Sequence, residues 1–137
     1  CYVAAGNVRD VSDINLDGDH IETLMSFFEK EITAATKAGV EAIWIDPGMG
    51  FYYKNLQDSA ERVRYQLNTF LHTFRLRELG WPVCHALPHA FAYFGEEVRC
   101  SEPFFAVPAL LGKTELIRTH EISRVKAVVD TMKVFSP

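Results

Sequence analysis

Long apolar runs are missing from this 137-residue chain, and none approaches the roughly 18 to 20 residues that a transmembrane helix requires. Cysteine is scarce: Cys1, Cys84 and Cys100 are odd in number and share no metal or redox spacing. That argues against a disulfide scaffold and favours a reducing, cytoplasmic setting. An excess of positive charge is also missing. Fourteen basic residues stand against 18 acidic ones for a net charge of −4, so nothing points to nucleic acid or to a membrane surface. No His-x-His falls on one strand and no two histidines stand at i and i+4 of an expected helix, as tight metal spacing would require. The chain lacks an initiating Met and any signal-peptide pattern, starts at Cys1 and runs straight into apolar residues. Such a start resembles the middle of a longer protein. What remains is an ordinary globular composition, 48% hydrophobic and 23% charged, enough for one domain over residues 1–137.

Four apolar runs alternate with four helical patterns. Cys1 to Ala5 reads as a first strand, followed by a polar loop over residues 10–18. Asp19 and Glu22 have capping-box spacing, and Ile21, Leu24, Met25, Phe28, Ile32 and Ala35 form one apolar stripe, which predicts a helix from about 20 to 38. Gly39 ends it. The run Ile43-Trp44-Ile45 predicts a strand buried on both faces. A long helix is expected from about Asp58 to Leu79, with Val63, Leu67, Phe70, Leu71 and Phe74 inward, stopped by Gly80. A third strand is expected within Trp81–Leu87, a loop over 88–95, and a short helix from Ser101 to Leu111 that Pro108 should kink or break. Thr114–His120 reads as the fourth strand and Ile122 to about Phe135 as the last helix, with Val125, Val128, Val129 and Met132 inward. Alternating strands and helices predict a parallel sheet with helices outside it.

The chemistry-bearing residues cluster where strands end. Asp46 follows the second strand and leads into Pro47-Gly48 and Gly50, where the chain must turn and the backbone can lie against a flat ligand. A carboxylate at the carboxyl end of a parallel strand is where α/β folds place binding groups, although Asp is also common in such turns. Arg118 and His120 alternate onto one side of the fourth strand. Together they suit an anion, since the guanidinium is a planar fork of donors for phosphate oxygens; the plainer reading is an Arg paired with a carboxylate and a His bonded in the rim. Asn7, Arg9, His85 and His89 occupy corresponding places after the first and third strands. This common rim is expected of a barrel or doubly wound sheet. His20 and His72, on helices, read as solvated surface, and Tyr52, Tyr53 and Tyr93 as rim or surface aromatics.

Asp46-Pro47-Gly48-Met49-Gly50-Phe51, and later Arg118-Thr119-His120 leading into a final helix, resemble the carboxyl-terminal half of the dihydropteroate synthase family. Gly80-Trp81-Pro82-Val83 resembles the approach to that family's seventh strand, and the match runs in order along essentially the whole chain. The resemblance implies four βα units of a (β/α)8 TIM barrel, a half barrel completed by an amino-terminal half or by a homodimer. It implies a transferase that joins p-aminobenzoate to 6-hydroxymethyl-7,8-dihydropterin diphosphate in folate biosynthesis, releasing diphosphate. Asp46, Gly48, Gly50 and Phe51 would form the pterin side, with Phe51 flanking the aromatic-amine pocket. Arg118 and His120 would be catalytic through the diphosphate, and Mg²⁺ would arrive on the diphosphate itself. Asn7 and Arg9 match the family's polar segment loosely.

One departure bears on activity. After its seventh strand the family carries a Ser-Arg-Lys-Ser type segment, whose Lys contacts the pterin. Here that stretch is Ala86-Leu87-Pro88-His89-Ala90-Phe91, with neither Lys nor Ser. His89 offers a donor but cannot reproduce a flexible ammonium. This leaves open a pterin-binding paralogue that makes no pteroate. A third reading, a metal-dependent barrel hydrolase, would use Asp46, His85, His89 and His120.

Overall fold

A computed structural model describes residues 1–5, 18–50 and 56–135. Asn7, Arg9, Phe51, Tyr52 and Tyr53 lie outside the described residues. The elements run β1 (Tyr2–Ala4), α1 (His20–Lys37), β2 (Trp44–Asp46), α2 (Ser59–Leu71), α3 (Thr73–Leu76) and a 3₁₀ turn (Arg77–Leu79). Then follow β3 (Cys84–Ala86), α4 (Phe91–Phe94), a second 3₁₀ segment (Gly95–Cys100), α5 (Ser101–Leu111), β4 (Leu116–Arg118) and α6 (Ile122–Phe135).

Among the described residues all strand pairing is parallel, as the alternation of elements requires. β1 pairs with β2, aligning Ala4 with Asp46. β3 pairs with β4, aligning His85 with Ile117 and Ala86 with Arg118. Between the two pairs stands one parallel bridge, Ile45 to Val83, where the Ile45 amide donates to the Pro82 carbonyl at 3.1 Å. The strands are only three residues long, shorter than the apolar runs around them. Pro82 cannot donate to a ladder, which limits pairing at the start of β3.

Side chains alternate across these strands. Val3, Ile45, His85 and Ile117 face the helices, and Tyr2, Asp46, Ala86 and Arg118 face the opposite side. The second strand is buried on both faces, Ile45 on one and Asp46 on the other, with Trp44 at its start half-buried. Beneath the β1–β2 pair, Ile21, Leu24 and Phe28 of α1 pack with Ile43, Ile45, Leu76 and Val83. A second cluster joins α2, α5 and α6 through Tyr65, Phe70, Phe105, Ala109 and Val125.

Local chemistry sets the helix ends. Asp19 caps α1 by accepting from the Ile21 amide at 2.9 Å, and Asp58 caps α2 by accepting from the Ala60 and Glu61 amides, satisfying otherwise unpaired donors. Gly39, at φ +85°, follows α1. The long helix expected from 58 to 79 is instead interrupted at His72, where the backbone departs to φ −102° and ψ +12°. Leu71 and Phe74, expected inward, are exposed on either side of this break, while Tyr65, Gln66, Thr69 and Phe70 take the inward face. Residues 91–100, expected as loop up to 95, contain α4 and a 3₁₀ segment. In α5 the helix runs unbroken through Pro108. A lost hydrogen bond there costs roughly 3 kcal/mol, and burial of Phe105, Ala106, Pro108 and Ala109 offsets it.

Candidate functional site

At the carboxyl ends of the strands a cleft of about 470 Å³ is lined by Tyr2, Asp46, Gly48, Met49, Gly50, Arg62, Gln66, Ala86, Leu87, Pro88, His89, Phe91, Arg118 and His120. Every described member of the rim singled out in sequence is there except His85. The alternation that aims Ala86 into the cleft aims His85 the other way, under α2. His85 is wholly buried, edge-on to Phe70 with ring centroids 4.8 Å apart, and bonded through Nε2 to Thr73 Oγ1 at 2.8 Å. Thr73 gives its own hydroxyl proton to the Thr69 carbonyl, so His85 Nε2 must be the donor. Burial drives the His85 pKa down to about 3, keeping the ring neutral. A metal set containing both Asp46 and His85 is therefore ruled out by the strand's own geometry.

Asp46 performs two tasks at once. Its Oδ1 accepts from the Gly48 amide at 2.7 Å, the turn that a short acidic side chain forms with the backbone two residues on; Gly48 sits at φ +78°, where a side chain would be strained. Its Oδ2 lies 3.5 Å from Arg118 Nη1. Only 3% of Asp46 is exposed, and this desolvation raises its pKa, against the lowering pull of the Gly48 amide and of Arg118. A carboxylate has about four lone-pair sites, so both oxygens can still accept from a ligand. Gln66 holds the turn from outside, donating to the Met49 carbonyl at 3.0 Å.

Arg118 projects from the end of β4, donates to the Tyr2 hydroxyl at 2.7 Å and carries its guanidinium 5.6 Å from the centre of that ring. It remains more than half exposed, free to turn toward an anion. His120 lies past the strand's end but reaches the same cleft.

A buried carboxylate that the sequence marks only as part of a helix start joins the cleft wall. Glu102, in the first turn of α5, is wholly buried beneath His89 and His120. Its Oε1 accepts from His89 Nε2 at 2.6 Å and His120 Nδ1 at 3.0 Å. Its Oε2 accepts from the Thr119 hydroxyl and from the His120 amide at 2.8 Å. Burial works to raise its pKa, but these donors together bring it down to about 2. Tyr93, by contrast, is an exposed surface aromatic. His20 is not simply solvated: it is half-buried, its ring lies tilted against Tyr65 with centroids 4.6 Å apart, and it bonds Thr69 at 3.0 Å. His72 is likewise half-buried and bonded to the Asn68 carbonyl at 2.8 Å.

The described lining offers Mg²⁺ no cage of oxygens. Asp46 is engaged by an amide and a guanidinium, and the oxygens of Glu102 face donors. Such a site does not suit a hard cation that demands octahedral oxygen.

No family model matches the chain, and no curated protein matches its sequence. Solved structures do match. Dihydropteroate synthase from Thermus thermophilus superposes with a TM-score of 0.76 at 16% identity, over 99% of this chain and 55% of the other. The enzyme from Stenotrophomonas maltophilia, with imidazole bound in its active site, gives 0.75 at 15% identity, over 99% and 53%. The Xanthomonas albilineans enzyme in complex with 7,8-dihydropteroate gives 0.71 at 21% identity, over 99% and 52%. The fold is that of part of a dihydropteroate synthase. This chain spans about half the length of the dihydropteroate synthases it matches, and its short parallel strands with outer helices correspond to part of their TIM barrel.

Proposed function

We propose that the cleft is a pterin and diphosphate site of the dihydropteroate synthase type, acting in the condensation of 6-hydroxymethyl-7,8-dihydropterin diphosphate with p-aminobenzoate. The observation that carries this reading is the buried Asp46 carboxylate 3.5 Å from Arg118 in one cleft. A buried carboxylate accepts two parallel hydrogen bonds from an amidine-like edge, which the pterin ring supplies. Gly48 and Gly50 leave room for a flat ring beside it, and Phe51 follows in sequence. Arg118 and His120 then take the diphosphate. When the amine nitrogen attacks the pterin methylene carbon, the carbon–oxygen bond breaks, the electron pair leaves with the diphosphate, and the amine gives up one N–H proton to the diphosphate or to water. Donors on the leaving group offset that charge. Magnesium, if required, would be carried by the diphosphate oxygens.

A specific observation also favours a second reading, binding without turnover. The cleft wall after β3 is Leu87, Pro88, His89 and Phe91, and among the described lining residues there is no lysine. The inner face of the strands leaves Tyr2 45% and Leu116 40% exposed, which suits a further half barrel or a second copy of the chain against it.

Calorimetry of the intact protein with 6-hydroxymethyl-7,8-dihydropterin tests the site. Binding should be present and should vanish in Asp46→Ala; binding that survives this substitution would sink the assignment. Incubation with the pterin diphosphate and p-aminobenzoate separates the two readings: pteroate formation supports the transferase, and bound pterin without pteroate supports the paralogue.

A further inference from the structure

Two imidazoles and a carboxylate converge at the wall of the cleft, on three segments far apart in the chain. His89 follows β3, Glu102 opens α5 and His120 follows β4. One ligand atom from each lies within 4.8 Å of the other two. His89 Nε2 and His120 Nδ1 both approach the same oxygen, Glu102 Oε1, at 2.6 and 3.0 Å. We propose that His89, Glu102 and His120 form a binding site for a divalent transition metal such as Zn²⁺, open toward the cleft.

The donor set favours this ion class. Two nitrogens and one oxygen suit zinc and its neighbours and are poor for Mg²⁺, which prefers oxygen alone. Metal–ligand bonds of about 2.1 Å around a tetrahedral ion place ligand atoms roughly 3.4 Å apart, so shifts on the scale of side-chain rotations bring these three around an ion. The surroundings are already those of a metal carboxylate. Oε2 is held from behind by the Thr119 hydroxyl and the His120 amide, leaving Oε1 as the oxygen presented forward; such outer partners fix ligand orientation and tune affinity. Both imidazoles would bind neutral by changing tautomer, the His89 proton moving from Nε2 to Nδ1 and the His120 proton from Nδ1 to Nε2, so that the two nitrogens that otherwise donate to Oε1 turn lone pairs to the ion.

Three protein ligands leave a coordination position for water or a substrate oxygen, the pattern of catalytic rather than structural zinc. That position faces a cleft shared with Arg118, so an anion held by Arg118 can also meet the metal. The site does not depend on the pterin reading, because its test contains no pterin.

The intact protein, stripped with a chelator, is titrated with Zn²⁺ against a chromophoric competitor and with Co²⁺ followed by absorption. One Zn²⁺ should bind per chain, Co²⁺ should show the intense d–d bands of a four- or five-coordinate site, and Mg²⁺ should not compete. His120 is exposed, so His120→Gln is expected to keep the fold, and it should lower Zn²⁺ affinity by about a hundredfold. Thr119→Val, which removes the bond to Glu102 Oε2 together with the acceptor of the Glu121 amide, should lower it about tenfold. Failure of the unsubstituted protein to bind Zn²⁺ overturns the proposal. So does unchanged affinity in a folded His120→Gln, or a weak six-coordinate Co²⁺ spectrum.

Discussion

Arg118 Nη1 stands 3.5 Å from Asp46 Oδ2, a guanidinium from β4 set against a carboxylate from β2 across the mouth of one cleft. Arg118 is mostly exposed, so the pair contributes little to folding, in the range of 0 to about 1 kcal/mol. Arg118→Ala should therefore leave the melting temperature nearly unchanged while weakening inorganic diphosphate at least about tenfold. Arg118→Lys should recover only part of that affinity, because an ammonium cannot make the paired bonds. Calorimetry with diphosphate beside a thermal melt checks both; a folded Arg118→Ala with unchanged affinity contradicts the role.

Asp46 links affinity and stability in opposite senses. Burial raises its pKa above 3.8, so the native state holds its proton more tightly than the unfolded chain. That stability is present below the unfolded pKa and is lost as pH rises through the native one. At neutral pH the ionised carboxylate therefore burdens the fold. Asp46→Asn can keep the turn to Gly48, and it should raise the melting temperature while losing pterin binding, an exchange typical of functional sites. Pterin affinity in the unsubstituted protein should fall on acidification, beginning above the pH expected of an ordinary Asp. In Arg118→Ala the midpoint should move further up, because a lowering influence is gone.

His85 is one source of acid sensitivity, beside Glu102, whose lowered pKa adds its own loss at lower pH. The His85 pKa is about 3 in the fold and about 6.5 when unfolded, so the unfolded chain binds the additional proton between these values. Stability is complete above 6.5 and is lost as pH falls toward 3. The loss can reach roughly 5 kcal/mol at the low end. Denaturant midpoints should drop steeply from pH 6.5 to 4, and His85→Gln should flatten that slope. An equally steep slope in the variant would place the acid sensitivity elsewhere.

Gly112 seals α5 against α2. A Cβ there would lie 1.7 Å from the Phe70 carbonyl oxygen, and backbone cannot yield as a flexible side chain would. Gly112→Ala should destabilise the protein by about 3 kcal/mol or more, above the usual overpacking range, measured as a lowered denaturant midpoint.

Helices were more legible in the sequence than strands. In α1 the cap Asp19, the stripe Ile21, Leu24 and Phe28, and the terminal Gly39 all act locally, and the helix forms where they place it. α6 spans Ile122–Phe135, as its periodicity requires. Strand ends depend on partners, and Pro82 and a single bridge to Ile45 shorten the pairing. Asp46 and Arg118 were visible because each closes a strand on the cleft side. His85 was misread because its distance from the strand's end says nothing of which face it takes; the register with Ile117 decides that. Glu102 left no signal, since its partners lie 13 and 18 residues away and a Glu in a first helical turn needs no further explanation.

The single bridge between Ile45 and Val83 gives the cleft a mechanical character. Asp46 belongs to the β1–β2 pair and Arg118 to the β3–β4 pair, so one backbone seam separates the two groups that face each other. A ligand that grips both fastens the seam from above. Its occupancy should be readable in the backbone behind the cleft, as slowed hydrogen exchange at the Ile45 amide, which donates across the seam to Pro82.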